Sequence, residues 1–137
     1  MNRADFKRLT KERLADAEVL LRNKRYAGAY YLSGYVVECA LKACIAKRTR
    51  RYDFPQKEFI REVYTHELPK LLKAAGLEAA SKAKSLTDPD FEINWNLVID
   101  WSEQDRYIIR DKTRAQDLYS AVSDLNHGVL PWLQLHW

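Results

Sequence analysis

Apolar residues recurring at helical spacing, with almost nothing to interrupt them, constrain this chain most. Only four glycines and four prolines punctuate its 137 residues. No stretch keeps the apolar–polar alternation of a half-buried strand for long, so helices must dominate. In the first segment, Asn2 to Asn23, the residues Phe6, Leu9, Leu14, Ala17, Leu20 and Leu21 project onto one broad face, while Arg8, Lys11, Glu12 and Arg22 fall largely elsewhere. Such a face needs a partner. The next segment, Tyr26 to Arg48, supplies one, with Tyr30, Val37, Leu41 and Cys44 at spacings of seven, four and three. The link around Asn23 to Arg25 is short enough to make the pair an antiparallel hairpin. Gly28 and Gly34 each cost helix stability, roughly 1 kcal/mol relative to Ala, so they predict a close packing neighbour.

The later segments are shorter and better punctuated. Tyr52 to Pro55 reads as a loop and Lys57 to Tyr64 as a short helical piece. A third helix is expected to begin beside His66, with Thr65 as its cap and Pro69 in its first turn, and to stop at Gly76. Leu77 to Leu86 continues as helix. Asp88-Pro89-Asp90 has the form of a fresh start, with Asp capping and Pro in the first turn, leading into a short helix over Phe91 to Trp101. Ser102 to Lys112 is polar and reads as a loop. The last helix is expected from Arg114 to about Gly128, opened by a Thr113–Gln116 capping box and carrying a stripe of Leu118, Val122, Leu125 and Val129. Pro131 then leaves Trp132 to Trp137 as a kinked, apolar tail that docks on the core or on another subunit.

Hydrophobic residues make up 47% of the chain and charged ones 31%, the balance of a globular protein, and the length suits one domain over residues 1–137. No apolar run reaches membrane-spanning length, and Met1 to Leu9 mixes Arg3, Asp5, Lys7 and Arg8 with single apolar residues, unlike a secretory signal. A cytoplasmic location without membrane attachment is therefore expected. Cys39 and Cys44, five apart on one helix, point away from each other and read as small core residues rather than a disulfide or a metal clip. The net charge of +4, with pI near 9.1, has a local excess at Lys47, Arg48, Arg50 and Arg51. These cations can meet phosphates, or simply complement the end of a helix dipole.

Four pieces, in order, carry a resemblance. They are Arg13-Leu14-Ala15-Asp16-Ala17-Glu18-Val19-Leu20-Leu21 followed by Tyr26-Ala27-Gly28-Ala29-Tyr30-Tyr31-Leu32; Val37-Glu38-Cys39-Ala40-Leu41-Lys42-Ala43; Thr65-His66-Glu67-Leu68 with Leu71-Leu72; and Arg106-Tyr107. Together they resemble the HEPN family, named for nucleotide binding in higher eukaryotes and prokaryotes. The resemblance implies an all-α, up-and-down bundle of four to five helices, often a homodimer. In many members it also implies a minimal nucleotidyltransferase as partner, in toxin–antitoxin or related defence pairs. Some members are metal-independent ribonucleases that carry an Arg, four to six further residues and a His late in the bundle. Here no His follows Arg106, Arg110 or Arg114 at that spacing, since His127 and His136 lie too far along. Arg61 and His66 satisfy the spacing, but ahead of the third helix, where that motif does not belong.

Metal-free RNA cleavage needs a group to take the 2′-hydroxyl proton and a cation for the charged phosphorane, so a His beside an Arg is the least that suffices. His66 is the best base on offer, with Arg106 as the cation and Arg61 as a weaker alternative. Tyr107 can stack on a base. Each has a structural reading as well. His66 can cap the third helix or bond a neighbouring one, Arg106 can clamp the last helix through Glu38 or another buried acid, and Glu38 can pair with Lys42 one turn on. The acids Asp100, Glu103, Asp105 and Asp111 crowd one loop without the ligand spacing of a known metal site, so neither metal nor cofactor is expected. No phosphate-cradling glycine loop or nucleophile triad is present. Two functions stay open: a module that binds RNA or a nucleotide, with ribonuclease activity undecided by the missing late motif, or a non-catalytic module that dimerises and partners a nucleotidyltransferase.

Overall fold

The computed structural model describes residues 1–49, 61 and 63–137. The expected loop over Tyr52 to Pro55, most of the helical piece over Lys57 to Tyr64, and the cations Arg50 and Arg51 lie outside them. The described residues form seven α-helices and one 3-10 helix, with no strand among them: α1 (Arg3–Arg22), α2 (Tyr26–Arg48), α3 (Leu68–Ala74), α4 (Glu78–Thr87), α5 (Pro89–Ile99), the 3-10 helix (Glu103–Tyr107), α6 (Lys112–Ser123) and α7 (Val129–Gln134).

The first two helices agree with the sequence reading almost to the residue. Asn2 and Asp5 make a reciprocal capping box at the start of α1. At its end the Arg25 amide donates to the Leu20 carbonyl at 2.8 Å and the Lys24 amide to that of Leu21 at 3.2 Å, closing the helix while Lys24 takes a left-handed φ of 60°. The chain turns there into α2, which lies against α1 along its length.

The single stripe read on α2 was too narrow. Residues Val36 to Leu41 and Ala43 to Ile45 are buried in unbroken succession, so α2 is enclosed around its circumference. It is the axis of the bundle, packed by α1, α3, α6, α7 and the 3-10 helix. The glycine at position 34 answers to this enclosure: a Cβ there would fall 2.2 Å from Cγ of the Trp101 indole. Cys39 and Cys44 are both buried free thiols, and burial pushes them up to about 12 and about 11, so neither is a nucleophile at neutral pH.

The later helices are cut finely by their punctuation. Gly76, at φ +72°, ends α3 in a backbone conformation that side chains rarely adopt, and the Arg48 guanidinium packs over it while donating to the Ala74 carbonyl at 3.1 Å. Asp88 caps α5 as expected, its carboxylate accepting from the Phe91 amide at 3.1 Å.

Three expectations need correction. First, α6 is capped by Asp111, whose carboxylate accepts from the Arg114 amide at 2.9 Å, rather than by Thr113, and it stops at Ser123. The Asp124 carboxylate then accepts from the amides of Asn126 and His127, a turn that competes with helix. Leu125 thereby leaves the expected stripe and stands exposed, whereas Leu118, Val122 and Val129 are buried. Second, Pro131 falls in the first turn of α7 and so does not break it. The tail is helical as far as Gln134 and packs on the core of its own chain, with Trp132 against Phe91 at 5.2 Å between ring centres. Third, the segment read as a loop contains the 3-10 helix, opened by a capping box between Ser102 and Asp105.

Candidate functional site

His66 does not open α3. The helix begins at Leu68 with Glu67 as its cap residue in extended backbone, and Pro69 sits harmlessly in its first turn. The Thr65 hydroxyl accepts from the Glu67 amide, so Thr65 and His66 shape the approach to the helix rather than its first turn. That placement frees the imidazole to reach two other elements. Its Nδ1 lies 2.9 Å from Glu38 Oε1 on α2, and its Nε2 lies 3.2 Å from Glu103 Oε2 on the 3-10 helix. The charged neighbours of this ring are carboxylates rather than guanidinium groups.

Glu38 is 2% exposed, and its Oε1 also accepts from the Lys42 ammonium at 2.9 Å, the ion pair expected from their spacing. Its Oε2 is buried and has no hydrogen-bond partner among the described residues. A carboxylate buried to this degree is tolerated because two donors converge on its other oxygen. Beside it opens a cleft of about 570 Å³, bounded by Tyr64, His66 and Glu67 on one side and by Ile99, Trp101 and Glu103 on the other. Trp101, one of its lining residues, is fixed by donating its indole N–H to the Tyr31 carbonyl at 3.1 Å.

Arg106 and Tyr107 share the 3-10 helix with Glu103 but lie outside the lining of this cleft. The Arg106 guanidinium rests 4.9 Å over the Tyr107 ring, and both residues are exposed. Arg106 has no acidic partner among the described residues. The clamp through a buried acid is made instead by Arg110. It donates from Nε to Asp105 at 3.0 Å and covers the Tyr30 ring at 4.8 Å, and the bond to Asp105 raises its pKa. Arg61 is exposed. The structure thus joins His66 to Glu38 and Glu103, and Arg106 to Tyr107, and among the described residues the His66 ring has no guanidinium partner.

The crowded acids of this loop have separate tasks. Glu103 meets His66, Asp105 caps the 3-10 helix and holds Arg110, Asp111 caps α6, and Asp100 follows the end of α5 in the open. A grouping that sequence reading missed lies elsewhere. Asp88, Asp90 and His127 bring their donor atoms within 4.8 Å of one another. His127 Nδ1 sits 2.9 Å from both Asp88 oxygens, and the Lys84 ammonium lies 3.2 Å from one of them, so cations of the chain itself already meet this acid. The His127 hydrogen bond holds the Asp88 carboxyl down at about 2, and the same bond raises His127. The capping role of Asp88 was readable. Its pairing with a ring 39 positions away was not, because nothing local encodes it.

Neither the curated proteins nor the solved structures compared with this chain gave a match. The family model described as HEPN domain matches residues 4–126, nearly the whole described bundle. With its all-helical architecture and the His66–Glu38 contact between the two segments that carried the resemblance, the chain belongs to the HEPN domain family.

Proposed function

We propose that this HEPN domain binds RNA or a nucleotide without cleaving it, as a module of a prokaryotic defence or toxin–antitoxin-like system. The observation that carries this reading is the division of labour around the 3-10 helix. His66 is bonded through Nδ1 to the buried Glu38 and has Glu103 3.2 Å from its Nε2, and among the described residues no guanidinium meets the ring to stabilise a charged phosphorane. Arg106 and Tyr107, by contrast, stand together in solvent as a guanidinium for phosphate and a ring for a base. In this reading His66 is a positioning residue. Through Glu103 it ties down the 3-10 helix, which Asp105 and Arg110 brace from the other end. Phosphate is directed to the outer side of that helix, where the exposed Arg106 has no acidic partner among the described residues.

Titrating labelled RNA and ATP against the purified protein in the presence of EDTA tests the proposal. Arg106→Ala and Tyr107→Ala should each weaken binding about tenfold or more, and the RNA should stay intact. Cleavage that disappears in His66→Ala would instead make the domain a ribonuclease.

A second reading, a non-catalytic module that dimerises and partners a minimal nucleotidyltransferase, is favoured by one observation: Ile108 and Ile109 follow Tyr107, and Ile109 is 93% exposed. Ile109→Asp should then convert a dimer to a monomer in light scattering, or abolish co-purification with the nucleotidyltransferase. An unchanged mass together with unchanged partner capture would dismiss this reading.

A further inference from the structure

The cations of α1 are unevenly matched. Arg8, Arg13 and Arg22 each face an acid on the same helix, namely Asp5, Asp16 and Glu18. Arg3, Lys7 and Lys11 recur every four residues, which sets them along one side of α1 at intervals of about 6 Å. The antiparallel hairpin lays the last turn of α2 beside this end, and Lys47 joins the row there. Its charge bears on Lys7 and on the Cys44 thiol together with that of Arg3. Both α1 cations nearest the end converge on Trp137: the Lys7 ammonium lies 5.0 Å over the indole, and the Arg3 guanidinium donates to the Trp137 carbonyl at 2.6 Å. Among the described residues, none of these four cations pairs with an acidic side chain. They match in number the whole net charge of +4. Like charges one turn apart destabilise a helix, and desolvation together with the charges of Arg3, Lys11 and Lys47 lowers the pKa of Lys7. An external polyanion relieves that repulsion.

We infer that Arg3, Lys7, Lys11 and Lys47, with Trp137 among them, form a binding surface for the phosphate backbone of a single nucleic-acid strand. Cations one helical turn apart suit successive phosphates, and an aromatic ring inside a basic row is the arrangement that holds single strands without regard to sequence. A lipid surface fits less well, because the apolar face of α1 is turned onto α2 and the exposed apolar residues at this end, Met1 and Leu135, are isolated rather than a continuous face to insert. The surface is separate from the Arg106–Tyr107 rim. Tyr30, beneath Arg110, and Lys47 are 17 positions apart on α2, or about 25 Å.

The test is anisotropy of a labelled oligouridine of about fifteen nucleotides, titrated between about 50 and 200 mM KCl. Four neutralised phosphates give a slope of log affinity against log salt of about −3 for a single strand. Lys11 and Lys47 are both exposed, so the double variant Lys11→Glu/Lys47→Glu should keep its fold by circular dichroism. It should bind at least about tenfold more weakly at the low-salt end and flatten the slope by about 1.4. The Lys11→Gln/Lys47→Gln pair should produce the same flattening with a smaller loss of affinity. Tyr107→Ala should alter affinity without altering the slope. A wild-type slope in both Lys11/Lys47 variants overturns the inference, as does binding to phosphatidylserine vesicles with none to RNA. If the double variants weaken and Tyr107→Ala does not, this surface stands and the Arg106–Tyr107 reading falls.

Discussion

Gly34 offers the sharpest test of how this bundle is held together. In an ordinary helix interior, Gly→Ala stabilises by about 0.5–1 kcal/mol, since Ala loses less backbone entropy on folding. At position 34 the added Cβ meets three atoms of the Trp101 indole at 2.2–2.3 Å, far inside contact distance. Trp101 is 3% exposed and pinned by its bond to the Tyr31 carbonyl, so it cannot swing aside freely. Overpacking of this kind costs about 1–3 kcal/mol, and losing the indole hydrogen bond adds about 1. After subtracting the propensity gain, Gly34→Ala should destabilise the protein by about 1–3 kcal/mol, or by about 4–12 °C in melting temperature. Removing the indole reverses the sign. Trp101→Ala alone costs about 3–5 kcal/mol, but in that background Gly34→Ala should stabilise by about 0.5–1. Urea denaturation of the four proteins closes the cycle. If Gly34→Ala destabilises as much without Trp101 as with it, the clash is not the reason for this glycine.

Other perturbations probe the polar contacts. His66→Ala should cost about 1–2 kcal/mol in urea unfolding, because Glu38 stays buried with Lys42 as its remaining donor; unchanged stability would mean that the tie is idle. Asp111→Ala should cost about 1 kcal/mol, while Thr113→Ala stays within about 0.5, and the reverse order would restore Thr113 as the cap. The His127–Asp88 pair gives a pH signature, with Lys84, Asp90 and Asp124 as the neighbouring charges. His127 is raised, so its contribution is full below about 6.5 and fades as pH climbs through the folded value. Asp88 is lowered to about 2, so its contribution is full above about 4 and fades as pH falls toward 2. The stability difference between the wild type and His127→Ala, followed by denaturation across this range, should therefore peak between about pH 4 and 6.5. A difference that does not vary with pH would remove the ion pair from the account.

Much of this was legible in the order of the residues. The α1–α2 hairpin, the core cysteines, the Glu38–Lys42 pair, the Asp88 cap and the Gly76 stop are local in origin. Each rests on helical periodicity, a side chain within one turn, or a backbone angle that glycine takes freely, and so each could be stated from sequence. Where two local signals competed, reading the stronger motif misled. Thr113–Gln116 has the form of a capping box, yet Asp111 two residues earlier captures the Arg114 amide first. Tertiary structure alone decided what surrounds each polar group. Whether His66 faces Arg106 or Glu103, whether Arg106 or Arg110 makes the clamp, and which ring fills the space over Gly34 all depend on elements dozens of residues apart meeting at ångström precision. The physical reason is that helices follow from interactions within a few positions, whereas a site follows from how the finished helices pack, and a half-turn of one helix exchanges a cation for an acid beside the same imidazole.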